Sequence, residues 1–181
     1  MERMVLNKLI VGLTGPAGCG KSTAAFHLEE LGFKRIRFAG ALKSMMMALG
    51  LSQEHIEGSL KEVPCALLGG KTPRYAMQTL GTEWGRNLMG ENLWTDIWQS
   101  QVNSWQGPVV VDDCRFPNEE KHLRAMGGKI IRIIRNVDTT TPTFTHESEK
   151  HVITADYTII NDGSIDRLYE HLDFILDGAS V

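Results

Sequence analysis

The sequence predicts an α/β protein built on one parallel β-sheet with helices over both faces. Three observations predict it. Short apolar, β-branched runs recur along the chain, each the length of a buried parallel strand. Between them lie stretches whose apolar residues repeat at helical spacing. The first run ends in a glycine-rich turn, Gly15-Pro16-Ala17-Gly18-Cys19-Gly20-Lys21-Ser22, that feeds directly into such a stretch. Strands alternating with helices bury both faces of a sheet.

The elements follow in order. Leu9-Ile10-Val11-Gly12-Leu13 reads as the first strand. Residues 21–31 form a helix with Ala24, Ala25, Leu28 and Leu31 on one face, stopped by Gly32. A second strand is expected at Lys34–Phe38. Residues 41–106 are mostly helical: Met77, Leu80, Trp84 and Leu88 share one helical face, and Trp94, Ile97, Trp98, Val102 and Trp105 another. Pro64–Pro73, punctuated by Gly and Pro, reads as a loop. Three of the four tryptophans fall in the second of these helices, where a core or a dimer-contact role is the simple reading. Val109–Val111 is a strand ending at Asp112-Asp113, a short helix runs from about Asn118 to Met126, and Lys129–Ile134 is the next strand. Residues 136–156 are polar and aperiodic and read as a mobile loop. Tyr157–Ile160 is the last strand. Ser164 is placed to cap a helix carrying Ile165, Leu168, Leu172 and Ile175.

At 181 residues, with no linker or internal repeat, the chain reads as a single domain. Its net charge of −3 gives no general attraction to nucleic acid or an anionic membrane, so stable nucleic-acid binding is not expected. No apolar stretch is long enough to span a bilayer, and the N-terminus lacks the pattern of a secretion signal. Cys19, Cys65 and Cys114 have no metal-binding or paired spacing and read as reduced thiols. The expectation is a cytoplasmic protein.

The glycine-rich turn has the G-x-x-x-x-G-K-S spacing of a phosphate-binding P-loop. Its glycines let the backbone curl so that successive N–H groups point at phosphate oxygens, and the following helix adds its N-terminal partial charge. Gly15, Ala17, Gly18, Cys19, Gly20, Lys21, Ser22 and Thr23 are therefore expected to hold a nucleoside triphosphate, with Lys21 on the β/γ-phosphates and the Ser22 hydroxyl on magnesium. A carboxylate of Asp112-Asp113, at a strand end, can order the magnesium shell or accept a proton. Arg115, two residues on, has a planar fork suited to phosphate oxygens. Lys43 follows the second strand at a helix start, a second candidate anion site. Arg74, near the start of a helix opened by Thr72-Pro73, opposes the helix dipole, and such a misfit hints at an anion contact. Gln78 lies one turn on and could read a base edge or cap a neighbouring backbone group.

These segments together resemble the bacteriophage deoxynucleoside monophosphate kinases, within the wider nucleoside monophosphate kinase family. The matching stretches are GPAGCGKST, FAGALK, TPRYAMQTLGTEWGR, VVVDDCRFPNE, IIRIIR, THESE and IINDGSIDRL. The resemblance implies a three-layer P-loop kinase fold with a five-stranded parallel sheet, a helical monophosphate-binding insertion at about 41–106 and a short lid at about 136–156. It implies transfer of the γ-phosphoryl of ATP to a deoxynucleoside 5′-monophosphate, with Mg2+. Lys21 and Ser22 match the P-loop lysine and magnesium hydroxyl. Asp113 matches the aspartate of the D-x-R segment and is assigned to magnesium organisation, with Arg115 as its arginine. Lys43, Arg74 and Gln78 match the acceptor side, and His146 and Glu149 the segment that lies where these kinases carry their lid. The lid stretch holds no arginine, so Arg132 or Arg135 is expected to supply charge at the transferring group.

Two other readings compete. One keeps the fold and changes the acceptor to a modified pyrimidine in DNA or to dephospho-coenzyme A. The other is a nucleotide-binding module without phosphotransfer. The implied partner is a small-molecule deoxynucleotide, and the tryptophan-rich helix leaves a homodimer open.

Overall fold

The computed structural model describes residues 8–135 and 153–179. The chain divides into two compact units, one of residues 1–36 and 102–181, the other of residues 37–101. In chain order the elements are β1 (Ile10–Thr14), α1 (Lys21–Glu30), β2 (Lys34–Arg35), α2 (Gly40–Ala48), α3 (Gln53–Ile56), α4 (Pro73–Thr79), α5 (Leu93–Ser104), β3 (Val109–Val111), α6 (Pro117–Ala125), β4 (Lys129–Ile134), β5 (Tyr157–Ile160) and α7 (Ile165–Ala179).

The first unit holds the sheet, ordered β2-β3-β1-β4-β5 and parallel at every pairing. This is the expected five-stranded parallel architecture. β1 is buried throughout because it is central: Gly12 lies opposite Val111 on one side and Ile130 on the other. The sheet core gathers Val11, Leu13, Val110, Ile131, Ile133 and Ile159 with Ala24, Ala25 and Leu28 of α1 and Leu168 and Leu172 of α7. Ala24, Ala25 and Leu28 are the helix face read from the sequence; Leu31 falls outside it, half exposed just after α1 ends. Crossovers lead from β1 to β2 and β3 on one side and then to β4 and β5 on the other. The strand order therefore reverses at β1, the place where open α/β sheets bind ligands at their carboxyl ends.

β2 is shorter than expected. The Ile36 N–H still donates to the Val110 carbonyl at 3.0 Å, but the Gly40 N–H then turns back to the Arg37 carbonyl and α2 begins.

The second unit is helical, with a core of Leu42, Met46, Leu51, Ile56, Met77 and Trp94. Its loop at 64–73 is pinched by an antiparallel bridge between Cys65 and Lys71. Trp94 and Trp98 are buried, as the core reading holds, whereas Trp105, expected on the same helical face, lies just past α5 and is 37% exposed. One expectation fails. α4 does not continue as a regular α-helix but passes into a π-helical segment, Leu80–Met89. Hydrogen bonds of the i→i+5 kind, such as Gly90 N–H to the Gly85 carbonyl at 3.0 Å, rotate the face away from the sequence's 3.6-residue period. Leu88 is consequently 77% exposed, and Gly85 is the buried position. The Trp94 ring lies against Gly85, where an added Cβ would sit 2.5 Å from the indole nitrogen, and that nitrogen donates to the Gly81 carbonyl at 2.9 Å.

Candidate active site

The first unit carries the phosphate-binding loop between β1 and α1. Gly15 has φ +137°, and a Cβ there would lie 2.1 Å from the Ile133 carbonyl oxygen on β4, so no side chain is tolerated. Gly18 and Gly20 also have positive φ. Pro16, Ala17 and Gly18 are exposed, and α1 opens without a side-chain cap or an acidic residue in its first turn. Its first N–H groups are thus left to an anion. Lys21, half-buried, donates to the loop's own carbonyls, to Gly15 O at 2.7 Å and Pro16 O at 2.6 Å. Burial lowers its pKa below the usual lysine range; Cys19 works against this, while the positive charge of Arg115 adds to it. Lys21 and Arg115 therefore sense one another. Ser22 is exposed beside Lys21, and Thr23 is half-buried.

The carboxyl ends of the neighbouring strands supply the surroundings. After β3, the two aspartates differ. Asp112 is buried and ion-paired with Arg35, the last residue of β2. Asp113 is partly exposed. Cys114 is buried and its thiol pushed up by that burial, so it stays an unreactive thiol. Arg115 is exposed, but its backbone is fixed: the buried Glu119 carboxylate accepts from the Arg115 N–H at 2.7 Å and the Phe116 N–H at 3.0 Å.

Of the two arginines expected to reach the transferring group, Arg132 donates to the Ile153 carbonyl and is engaged there, whereas Arg135 is exposed one residue past β4. Residues 153–156, read from the sequence as the end of the loop, are held in place. Arg124 bonds Asp156 at 3.0 Å, Glu120 at 2.9 Å and the Thr154 carbonyl, and Ile153 is buried. His146 and Glu149 lie outside the described residues.

Asn161, at the end of β5, is a contributor that the sequence reading did not single out. Its amide donates to the Cys19 carbonyl at 2.9 Å and bars any side chain at Gly20, 2.5 Å from an added Cβ. The available signal was its position: an amide directly after an apolar strand, at the same sheet end as the loop.

The second unit holds Lys43, Arg74 and Gln78. Lys43 on α2 donates to Glu57 at 2.6 Å. Arg74 on α4, after the Thr72 cap, bonds Glu62. Gln78 is half-buried one turn along α4 from Arg74.

A parallel sheet of this order with a phosphate loop at its central strand defines the class of P-loop kinases. The fold is similar to shikimate kinase from Bacteroides thetaiotaomicron, with a TM-score of 0.52 and 14% identity over 93% of this chain and 98% of that one. The family model for deoxynucleotide monophosphate kinase matches residues 71–172. An Acanthamoeba polyphaga mimivirus protein assigned as a deoxynucleotide monophosphate kinase is 32% identical over 95% of this chain and 98% of its own length. The deoxynucleotide monophosphate kinase of Escherichia phage RB69 is 31% identical over 57% of this chain, which spans 44% of that longer protein. The chain belongs to the deoxynucleotide monophosphate kinase family and is a phosphotransferase. No helix among the described residues is long and apolar enough to cross a membrane.

Proposed function

We propose that this protein transfers the γ-phosphoryl of ATP to a deoxynucleoside 5′-monophosphate, giving the diphosphate and ADP. The observation that carries the donor half is the loop at 15–22, whose glycines are required by the backbone and whose lysine, among the described residues, bonds only the loop's own carbonyls and the Cys19 sulfur. The acceptor half rests on Lys43, Arg74 and Gln78 in the second unit.

ATP fits the loop by its chemistry. The exposed 16–18 turn and the uncapped start of α1 offer N–H groups, and Lys21 can leave its carbonyl partners for β/γ-phosphate oxygens. Magnesium fits the hydroxyl of Ser22 and the carboxylate of Asp113, both hard oxygen donors. Among the described residues no three His, Cys, Asp or Glu side chains form a metal cluster. Magnesium suits such a site because it is held by one or two protein groups, water and substrate phosphates. When bound, it neutralises charge on the transferring phosphoryl.

The protein's own contribution is positioning and charge. A monophosphate is largely dianionic near neutral pH, its second pKa being about 6, so its oxygen needs no strong general base. Asp113 accordingly serves magnesium rather than deprotonation. Arg115, fixed through Glu119, and Arg135 face charge that develops on the phosphoryl oxygens. Lys43 and Arg74 hold the acceptor phosphate and Gln78 reads the base. The test is a panel of the four deoxynucleoside monophosphates with ATP and magnesium, read as diphosphate formed. Formation of no diphosphate from any of them, with phosphorylation of hydroxymethyl-pyrimidine DNA or dephospho-coenzyme A instead, would move the acceptor elsewhere.

A further inference from the structure

Asn161 follows β5 directly and is 9% exposed. Its N–H donates to the Ile134 carbonyl at 2.7 Å, which extends the β4–β5 ladder by one residue and fixes its backbone to the sheet. Its side chain turns to the phosphate loop, where Nδ2 donates to the Cys19 carbonyl at 2.9 Å in a buried bond. The partner is a carbonyl, so the group that meets it is the NH2 end of the amide. That nitrogen lies 2.5 Å from the place a Cβ would take on Gly20, and Leu168 of α7 closes on the same place at 3.6 Å. The amide is thus seated at the turn from loop to helix: Gly20, at φ +109°, precedes α1 and its carbonyl accepts from the Ala24 N–H at 2.9 Å. The Cys19 carbonyl and the Gly20 N–H belong to one peptide unit, and that unit is trans. In a planar trans peptide the two groups point to opposite sides. With the carbonyl drawn to Asn161, the Gly20 N–H faces away from it.

We infer that Asn161 is a positioning residue for the reaction: it holds the Cys19–Gly20 peptide with its N–H aimed at the bound triphosphate. This rests on the proposed function, which puts the triphosphate on the loop. A residue without a Cβ has a wide choice of backbone angles, so the glycine that lets the loop curl would also let this peptide rotate. The Asn161 amide removes that freedom from the far side of the peptide. A donor fixed in this way needs no reorganisation when charge develops on the phosphoryl oxygens. The same bond satisfies a buried carbonyl, so it stabilises the fold as well. What separates a positioning residue from a strut is whether loss of the amide moves the Gly20 N–H relative to the phosphates in protein that is still folded.

The test compares wild type with Asn161→Leu, which keeps the branched shape without a donor or a charge, and with Asn161→Ala, which leaves room for water at the carbonyl. Binding of ATP with magnesium is read by calorimetry without acceptor, KM and kcat by steady-state assay below each melting midpoint, and the Gly20 amide by nitrogen–proton correlation NMR with and without ATP. In wild type the Gly20 amide proton should move downfield when ATP binds, as a new charge-assisted hydrogen bond requires. In Asn161→Leu that movement should shrink, and ATP affinity should fall by about fivefold to tenfold, the loss of one hydrogen bond. There kcat should fall by about tenfold, as a misplaced donor group entails. The KM for the monophosphate should stay within about twofold, since the lost bond serves the ATP side alone. Asn161→Ala should move the same quantities in the same directions but less, because water can take the place of the amide; it carries the comparison if Asn161→Leu does not fold. A Gly20 amide that ignores ATP in wild type overturns the inference. So does a fall in melting midpoint alone, with ATP affinity and kcat kept in both variants, which leaves Asn161 a strut. If wild type binds ATP but phosphorylates no deoxynucleoside monophosphate, the acceptor reading fails while the binding and NMR arms still decide the role of Asn161; if it binds no ATP, both fall.

Discussion

The two proposed binding regions, one in each unit, are built from different materials. In the first unit the phosphate loop is made of backbone: Gly15, Gly18 and Gly20 adopt positive φ, Ile133 and Asn161 crowd out side chains, and the groups offered to the ligand are N–H groups and one lysine. In the second unit the proposed acceptor-side cations are side chains, and each is already engaged: Lys43, together with Arg37, with Glu57, and Arg74 with Glu62. A backbone site needs particular residues at fixed spacing. A side-chain site needs only charges that converge in space, which many sequences can supply. That difference decides both what can be read from the chain and how each half fails.

The sharpest break in the comparison is Lys21→Ala. It removes the side-chain cation of the loop itself, and kcat should fall roughly 10²-fold or more, as loss of a transition-state charge donor does. A steady-state assay with unchanged thermal stability checks this; near-normal turnover would overturn the loop's role. The next test separates the adjoining aspartates. Asp112→Asn removes the buried carboxylate paired with half-buried Arg35, which also contacts Glu29, and should cost about 1.5–3 kcal/mol of stability, read by denaturant unfolding. Asp113→Asn should lower kcat and magnesium dependence with little change in the midpoint. A reversal of these two outcomes would exchange their assignments.

In the second unit, Gly85→Ala forces a methyl into the Trp94 ring and should cost about 1–3 kcal/mol. Its kinetic signature should be a raised KM for the monophosphate with the KM for ATP kept, since the proposed function puts the two substrates on different units. Equal changes in both would blur the comparison. The smallest expected effect concerns the segment that leads into β5. Burial disfavours the Asp156 carboxylate, but the Ile130 N–H and Arg124 outweigh it and hold the group below the usual range. A folded-state pKa lowered in this way stabilises above the unfolded value of about 3.9 and is lost as pH falls through the folded one. Asp156→Asn should therefore be less stable than wild type by the order of 1 kcal/mol at neutral pH. The gap should close in acid, as thermal melts across the pH range would show.

Much of the fold was legible because the sheet is buried on both faces. Val109–Val111 and Lys129–Ile134 are apolar enough to declare themselves as strands, and α1 shows Ala24, Ala25 and Leu28 on its inner face. β2 was overextended because Ile36 and Phe38 are buried and strand-like, while the turn that ends it is a matter of backbone bonding. Leu88 was misplaced because the face was projected on an α-helical period and the backbone there is wound more widely. The loop at 15–22 was readable from spacing alone. Residue chemistry alone did not separate Asp112 from Asp113, and only the family resemblance favoured Asp113; in the structure they differ because Asp112 is paired with Arg35, 77 residues away. Arg132 and Arg135 were likewise equivalent until the Ile153 carbonyl was found to engage the first. Asn161 and Glu119 were missed because their work is to bond backbone groups, which leaves no motif.

The placement of the tryptophans has an optical consequence. Trp84, Trp94 and Trp98 belong to the helical unit, and only Trp105 to the sheet unit. Trp94 and Trp98 are shielded from solvent, so their emission lies to the blue of a hydrated indole, and Trp84, 6.1 Å from Trp94, is close enough to exchange excitation with it. Intrinsic fluorescence therefore reports mainly on the helical unit. Loosening or ligand-induced tightening of that unit can be followed in the unlabelled protein, while Trp105, under the Lys34 ammonium, gives a separate and weaker signal from the sheet.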